Sequence, residues 1–401
     1  MGSPDAQKER AVKQTAGMIV FVLIFIVLYS GMHLYAFYKI KAAIPLAGWC
    51  RQSIILFMML MVLSPLLVRQ FEKAGMEFLA RMLSWAGFTW MGILFLFDFF
   101  SLATDLTCIF VRLAGSIFKS NLSAVKLSPG HAFSLSLLLT AGLALYGYFD
   151  ARKIRTERVV IRTSAIPRRP GRLRIVQISD VHLGMMVREE RLKSILSAVK
   201  KVDPDILVST GDLVDGMMMN IEELIRPLKE ITPRYGKFAV TGNHEFYAGP
   251  GRSVEFIERA GFKVLRGEGV SVQGLINIAG VDDRAGRYTG WLREVSEAEL
   301  LSSLPRNRFT LFLKHTPRIT EESLGLFDLQ LSGHTHHGQI FPFNLITRLL
   351  FSINSGMRRL PKGSLLYVSR GTGTWGPPMR IFAPPEVTLI ELLYQEKGKN
   401  E

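Results

Sequence analysis

Long apolar runs fill the first 150 residues of the chain and then give way to a polar, turn-rich sequence. The mean hydropathy of +0.22 therefore averages two unlike halves. A helix needs about 20 apolar residues to cross ~30 Å of hydrocarbon, and only the first half offers such runs. We predict a transmembrane region over residues 1–150. The remaining part, at roughly 250 residues, can bury its own core without disulfides.

The predicted spans come from four apolar runs: Met18–Tyr38, Ser53–Val68, Met82–Phe100 and Ala132–Phe149. The first run is too long for a signal peptide, and no small-residue cleavage site follows it. We therefore predict an all-α bundle of about four transmembrane helices. Asp98 and Asp105 lie in or near the third run, where an acid is either functional or interfacial, and neither alternative is favoured.

Positive charge marks one side of the predicted bundle. The chain carries a net charge of +15. With four spans, the N-terminus, the second loop and the C-terminal flank lie on one side and hold most of the flanking Lys and Arg. The positive-inside rule then places both chain ends and the globular domain in the cytoplasm. One span more or fewer would reverse this orientation.

A basic strip follows the last apolar run. Residues 152–174 contain nine Lys or Arg and one acid, Glu157. We interpret residues 151–171 as a juxtamembrane linker that faces anionic lipid head groups. Nucleic acid is the other common partner of such charge, but neither interleaved aromatic residues nor a nucleic-acid motif accompanies the strip. Membrane lipids are therefore expected as a partner, and nucleic acid is not.

Five short apolar runs in the second half each end in polar side chains of catalytic or metal-binding type. In chain order, the runs and the polar residues that follow them are Leu173–Ile178 with Asp180 and His182, Ile206–Val208 with Asp212 and Asp215, Phe238–Val240 with Asn243 and His244, Phe309–Leu313 with His315, and Leu329–Leu331 with His334 and His336. Helical patterns separate the first three runs, which predicts neighbouring parallel strands. The carboxyl ends of such strands meet at one edge of a sheet, where ligands bind.

The later strands follow one another with fewer helices. The predicted fold class of the second half is therefore α/β, with a mixed two-sheet β sandwich flanked by helices. Each polar cluster alone is weak, because turns that contain Asn or Asp are common. Five clusters in order favour a shared site over chance. Both cysteines, Cys50 and Cys108, lie in the apolar half, so a metal bound by the second half must use nitrogen and oxygen ligands.

The ordered clusters resemble the signature of calcineurin-like metallophosphoesterases. The matching residues are Asp180-x-His182, Gly211-Asp212-x-x-Asp215, Gly242-Asn243-His244-Glu245, His315 and Gly333-His334-x-His336. The likeness is greatest to a membrane-associated bacterial branch with a Gly-His-Thr-His-x-Gly-Gln run, here Gly333–Gln339; His337 stands where that branch often has glycine. The resemblance implies a metallophosphoesterase domain over residues 172–395, in an integral protein of the bacterial inner membrane.

The resemblance also implies two divalent metal ions. The implied ligands are Asp180, His182, Asp212 and His336 for the first ion, and Asn243, His315 and His334, again with Asp212, for the second. Asp212 is the candidate bridge, because a carboxylate has two oxygens. His244 would donate a proton or stabilise developing charge, and Asp215 would orient a ligand or a loop. Manganese is the expected metal, with zinc or iron as alternatives.

Apolar residues near these clusters indicate a substrate rim formed by Met185, Met186, Met217, Phe341 and Phe343. Methionines are frequent at adaptable binding surfaces, and the stretch Phe341–Leu350 suits either an active-site rim or a bilayer surface. We expect a phosphomonoester, phosphodiester or pyrophosphate substrate, and a lipid-linked one is a hypothesis. The alternatives are a non-catalytic membrane scaffold or sensor, which the full ligand set disfavours, and a nuclease recruited to the membrane. The sequence does not predict the oligomeric state.

Overall fold

A computed structural model describes residues 4–119, 127–216 and 222–396 of the chain. The chain forms two compact units: residues 1–148 with 376–379, and residues 149–375 with 380–401. The first unit is helical, and the second is an α/β domain with two mixed sheets. Both fold classes are those predicted from the sequence.

Four long helices make up most of the first unit: α1 (Pro4–Ala43), α2 (Gly48–Lys73), α3 (Glu77–Ile117) and α4 (Pro129–Asp150). Among the described residues, these four helices are long and apolar enough to cross a membrane, which is the predicted number. The helices extend beyond the apolar runs, and Pro65 lies inside α2 without ending it. Long helices suit an apolar medium because they satisfy their backbone hydrogen bonds internally.

Asp105 in α3 has a structural explanation. Its carboxylate accepts a hydrogen bond from the Tyr35 hydroxyl at 2.8 Å and pairs with the Lys39 ammonium. A carboxylate that is paired and hydrogen-bonded costs less in apolar surroundings than a free one. The apolar part of this unit packs around buried side chains that include Tyr29 and Phe97.

In the second unit, twelve strands of the described residues form two six-stranded sheets. The strands are β1 (Arg155–Thr163), β2 (Arg172–Ile178), β3 (Ile206–Ser209), β4 (Lys237–Ala239), β5 (Lys263–Val264), β6 (Glu268–Val272), β7 (Ile276–Gly280), β8 (Phe309–Leu313), β9 (Leu329–Ser332), β10 (Gly356–Arg359), β11 (Leu365–Val368) and β12 (Glu386–Tyr394). The first sheet has the order β1-β12-β2-β3-β4-β5, and the second has the order β10-β11-β9-β8-β7-β6. Within each sheet, the strands that precede the predicted site residues are parallel to one another.

One hydrophobic core lies between the two sheets, and another lies between the first sheet and its helices. Successive side chains of a strand point to opposite faces: in β2, Leu173 and Ile175 lie in the core shared with the second sheet, whereas Val176 and Ile178 pack against helices. The helices of this unit are α5 (Glu189–Lys201), α6 (Glu222–Lys229), α7 (Asn243–Ala248), α8 (Pro250–Arg259), α9 (Gly286–Thr289), α10 (Glu297–Ser302) and α11 (Phe343–Leu350). Helices α5, α6 and α8 cover the outer face of the first sheet.

The predicted linker over residues 151–171 is wrong, because it contains a strand of the sheet. Strand β1 pairs in parallel with β12 over its full length, from Arg155 opposite Glu386 to Thr163 opposite Tyr394. At least five of the nine basic residues of the strip also form ion pairs with other described residues: Arg155, Arg158, Arg168, Arg172 and Arg174. Two of them share Glu391, a partner so distant in sequence that a local count of charge misses it.

Candidate metal centre

Five strand ends deliver the predicted site residues to one place. The residues directly follow β2 (Asp180 and His182), β3 (Asp212 and Asp215), β4 (Asn243 and His244), β8 (His315) and β9 (His334 and His336). The carboxyl ends of neighbouring parallel strands lie at the same edge of their sheet. Because the two sheets also face each other across the core, loops from both sheets meet at this edge.

The predicted ligands form one cluster. Three groups have ligand atoms within 4.8 Å of one another: Asp180, His182 and His336; His182, Asp212 and His244; and Asp212, His315 and His334. Asn243 joins them through Oδ1, which lies 3.1 Å from Nε2 of His315 and 3.0 Å from Nδ1 of His334. Asp212 belongs to two of the three groups, which is the position that a bridging carboxylate needs.

The spacing of the imidazole nitrogens suits bound metal ions. Nε2 of His182 lies 3.0 Å from Nε2 of His336, and Nδ1 of His334 lies 3.1 Å from Nε2 of His315. Two nitrogens that are each about 2.1 Å from one ion, at right angles, are about 3.0 Å apart. Carboxylate, imidazole and carboxamide donors suit manganese, iron or zinc. The residues therefore fit divalent metal ions.

Contacts outside the cluster orient the ligands. Nδ1 of His315 lies 2.8 Å from the carbonyl oxygen of Thr210, and its Nε2 faces Asp212, 3.2 Å away. Burial lowers the pKa of His315, but the charge of Asp212 outweighs this effect and raises it well above its usual value. The Asp180 carboxylate accepts the backbone N–H of His334 at 2.9 Å. Partners of this kind fix the tautomer and direction of metal ligands.

The fully buried Arg380 is a further contact of this kind, and nothing in the sequence singled it out. Its Nη2 lies 3.1 Å from Nδ1 of His336. Burial lowers the pKa of His336 well below its usual value, and the charges of His182 and Arg380 lower it further. Neutral histidine is the form that binds metal, so Arg380 favours the competent form of His336.

Five of the predicted ligands have a left-handed backbone. The φ angles are 52° at Asp180, 54° at His182, 50° at Asp212, 73° at His334 and 49° at His336. Residues other than glycine rarely adopt this region. Each such residue costs on the order of 1–3 kcal/mol, and this kind of strain concentrates at functional sites. The cluster is therefore a conformation that the surrounding contacts impose.

Glu245 holds two of the loops that carry ligands. It is fully buried, and its carboxylate accepts hydrogen bonds from four backbone N–H groups, those of Gly242 (2.7 Å), Asp212 (2.9 Å), Leu213 (2.7 Å) and Val214 (3.1 Å). Burial and the charge of Asp212 raise the pKa of Glu245 to about 7. The sequence-based site omitted this residue. The available signal was the capping-box position, since a Glu three residues after the N-cap reaches back to the N-cap N–H.

His244 and Asp215 form a hydrogen-bonded pair beside the ligands, with 2.8 Å between Nδ1 and Oδ1. Burial lowers the pKa of His244, but the carboxylates of Asp212 and Asp215 outweigh this effect and raise it to about 9. In contrast, burial lowers the pKa of His182 and that of His334 to about 4, and neighbouring histidines add to the effect. Neutral imidazoles can bind metal, whereas protonated His244 can act as an acid.

Two glycines of the motif are explained by close contacts. A Cβ on Gly333 would lie 2.2 Å from Oδ2 of Asp180. Gly211 has a φ of +94°, and a Cβ there would lie 2.7 Å from Nδ1 of His315. Glycine alone allows this backbone conformation freely and this approach of backbone to ligand.

The predicted substrate rim stays a prediction, and its described residues lie outside the pocket that adjoins the centre. Met217 lies outside the described residues, Met185 and Met186 are half-buried, Phe341 packs against Phe382, and Phe343 begins α11. A pocket of about 710 Å³ adjoins the centre, and none of these described rim residues lines it. Hydropathy identifies the apolar stretch Phe341–Leu350, but it does not indicate the direction in which the side chains of this stretch point.

Comparison with known proteins assigns the chain to a family. The calcineurin-like phosphoesterase family matches residues 173–338. An uncharacterized metallophosphoesterase of Aquifex aeolicus is 41% identical over 258 residues, which cover 64% of this chain and 97% of that protein. The chain belongs to the calcineurin-like metallophosphoesterase family.

Other relatives of this metallophosphoesterase extend the likeness. An uncharacterized metallophosphoesterase of Campylobacter jejuni is 32% identical over 320 residues, covering 78% of this chain and 83% of that protein. A zebrafish (Danio rerio) transmembrane protein with a metallophosphoesterase domain is 33% identical over 274 residues, covering 64% of this chain and 62% of that protein. Together with the four apolar helices, these relatives indicate a membrane protein with a phosphoester hydrolase domain of a metal-dependent family.

Proposed function

We propose that this metallophosphoesterase hydrolyses a phosphate monoester, phosphodiester or pyrophosphate with two divalent ions, manganese being favoured over zinc or iron. One observation carries the proposal: side chains from five strand ends converge around Asp212. We assign Asp212 to both ions. The other ligands are Asp180, His182 and His336 for one ion, and Asn243, His315 and His334 for the second.

When bound, two such ions activate a water molecule as the nucleophile and offset the charge of the phosphoryl oxygens. The chain itself supplies the acid. The ring of His244 lies 4.6 Å from that of His182, and its backbone N–H donates to Oδ1 of Asp212 at 2.8 Å. Asp215 accepts from Nδ1, so Nε2 is the nitrogen left to protonate the leaving-group oxygen.

The test uses full-length protein in lipid nanodiscs, stripped of metal and reloaded with manganese, zinc or iron. We expect elemental analysis to find two ions per chain and one metal to restore hydrolysis of at least one class of phosphate ester. Asp212→Asn should lose both metal and turnover. His244→Gln should keep the metal and lose about 10²–10⁴-fold in turnover. Asp203→Asn, at a largely exposed carboxylate, should match the unaltered protein.

Two outcomes would contradict the proposal. One is the absence of stoichiometric metal under every loading condition, which would support a scaffold or sensor. The other is turnover that survives Asp212→Asn. If DNA or RNA were hydrolysed in preference to small esters, the nuclease alternative would replace the proposed substrate class.

We further propose that the substrate is linked to a lipid and that the domain lies on the cytoplasmic face of the bacterial inner membrane. The charge bias around the spans supports this orientation. Helix α11 supports contact with a lipid surface, because its burial pattern is the reverse of that usual in a soluble protein. The polar Thr347 is buried, whereas the apolar Leu349 and Leu350 are 87% and 71% exposed. Residues 340–363 also contain four Lys or Arg and no acid, which complements anionic lipid.

A further inference from the structure

The pocket of about 710 Å³ extends the candidate centre towards the second sheet. Asn243 and His334 line it on the side of the metal ligands, and the segments that follow β7 and β8 form much of the remaining wall. These segments belong to the same unit as the centre. A substrate bound at the centre therefore has room for a second chemical group in this pocket.

Most charges of the pocket are already paired. Ion pairs join Lys314 to Glu297 at 2.6 Å and Arg287 to Glu294 at 2.9 Å. Arg293 pairs with Glu268 outside the lining, and Asp282 with Arg266. These side chains build the walls, because their charges are matched within the protein.

Arg284 and Arg318 are different. Both line the pocket and are exposed, and neither guanidinium has an ion pair or a hydrogen bond within the part of the chain that the structure describes. The remaining acid of the lining, Asp283, uses both oxygens internally: it accepts from the Thr316 hydroxyl at 2.6 Å and from the N–H of Ala285 at 2.9 Å. Both donors are uncharged, so the formal charges of Asp283, Arg284 and Arg318 leave the lining with one excess positive charge for a ligand.

Two exposed aromatic side chains share the lining. Tyr247 and Tyr288 are 59% and 66% exposed. The ring of Tyr247 lies 5.5 Å from that of His244, so an aromatic ring lies next to the residue that we assign as the acid. Exposed tyrosines supply rigid contact area for an organic group.

We propose that this pocket binds a second anionic group of the substrate and that Arg284 and Arg318 recognise it. The inference rests on the proposed function and narrows it: the substrate is a pyrophosphate or a phosphodiester with another phosphate on its leaving side, rather than a simple monoester. Guanidinium groups suit this task, because their forked N–H donors match phosphate oxygens.

The experiment compares the binding of two probes by calorimetry. Full-length, manganese-loaded protein in nanodiscs is titrated with methylenediphosphonate, which has two anionic groups, and with methylphosphonate, which has one. We expect Arg284→Gln and Arg318→Gln each to weaken the diphosphonate about tenfold, the usual size for loss of a hydrogen bond between charged groups. Binding of the monophosphonate should change less than about twofold. Arg306→Gln is the matched control, since Arg306 precedes β8 and lies at its opposite end from Lys314.

An equal loss for both probes, or no loss for either, would overturn the second-anion site. Binding is read without turnover, so this result is separate from that of the hydrolysis assay. If loaded protein hydrolysed no ester but still showed the predicted difference between probes, the proposed reaction would fail and the anion site would stand.

Discussion

Nδ1 of His244 lies 2.8 Å from Oδ1 of Asp215, and this contact acts with the charge of Asp212 to raise the pKa of the histidine that we assign to proton transfer, against the effect of burial. Asp215 also lies 3.7 Å from Nδ1 of His182, so one carboxylate faces both an assigned ligand and the assigned acid. Its pKa is lowered: burial alone would raise it, but the charge of His244 and its hydrogen bond outweigh burial. Asp215 is therefore ionised when it contacts His244.

Asp215→Asn should shift the pH profile of hydrolysis. His244 acts as an acid while it is protonated, that is, below its pKa of about 9, and the rate falls as pH rises through that value. Removing the Asp215 charge lowers the pKa of His244, because an adjacent opposite charge raises it by about 1–3 units. The basic limb of kcat/KM should therefore move to lower pH by about 1 unit or more. If the basic limb of the variant stayed at the same pH, Asp215 would not be the group that raises the pKa of His244. Asp203→Asn is the control and should leave the basic limb in place.

Glu245→Gln should loosen the loop that carries Asp212. Glutamine keeps one acceptor oxygen and presents an NH₂ group where the other oxygen accepted two backbone N–H groups. Each buried donor left without a partner costs about 1–3 kcal/mol. We expect faster amide hydrogen exchange in peptides covering residues 206–216, measured on the metal-free full-length chain. Glu258→Gln, at an exposed position of α8, should leave this exchange unchanged, and equal exchange in both variants would contradict the proposed support.

The strand ends could be predicted from the sequence because their signals are local. An apolar run followed at once by Asp212 or His315 needs only a few neighbouring residues to be recognised. Strand β1 could not be predicted in this way. Its sequence, RTERVVIRT, has basic residues on both sides of a short apolar run and no regular alternation. Its stability comes from pairing with β12, more than 200 residues later, so composition favoured a linker.

The ligand types were predictable, but the means of holding them were not. The left-handed φ angles at Asp180 and His336 are imposed by tertiary contacts, since isolated residues of these types avoid that region. Arg380 reaches His336 across 44 positions of sequence, and an isolated arginine carries no periodic or motif signal. Composition also does not predict which face of α11 is exposed, because the same apolar residues would suit a buried face.

Gly333→Ala should remove the metal ion that we assign to Asp180. The added methyl group would lie 2.0 Å from Oγ of Ser179 and 2.2 Å from Oδ2 of Asp180, so the Asp180 carboxylate has to move. Metal–ligand distances are expected to lie within about 0.2 Å of their usual values, so a displaced carboxylate binds its ion less well. Elemental analysis should find about one ion per chain or fewer. Gly142→Ala, where the methyl group meets open space, should retain full metal content, and full content in both variants would contradict the contact.

The exposed face of α11 should matter for a substrate held in a bilayer and not for one in water. Leu349 and Leu350 together place two apolar side chains in solvent, and burying each in an apolar phase is worth about 1.5–3 kcal/mol when complete. Partial burial in the head-group region gives less, so we expect Leu349→Gln with Leu350→Gln to lower kcat/KM about tenfold for a lipid-linked phosphodiester in the same nanodisc. Turnover of a water-soluble diester should be unchanged, because the metal ligands are untouched. Val160→Gln, at another exposed apolar position, is the control. If the double substitution left kcat/KM unchanged for the lipid-linked substrate as well as for the soluble one, α11 would have no role in binding a lipid surface.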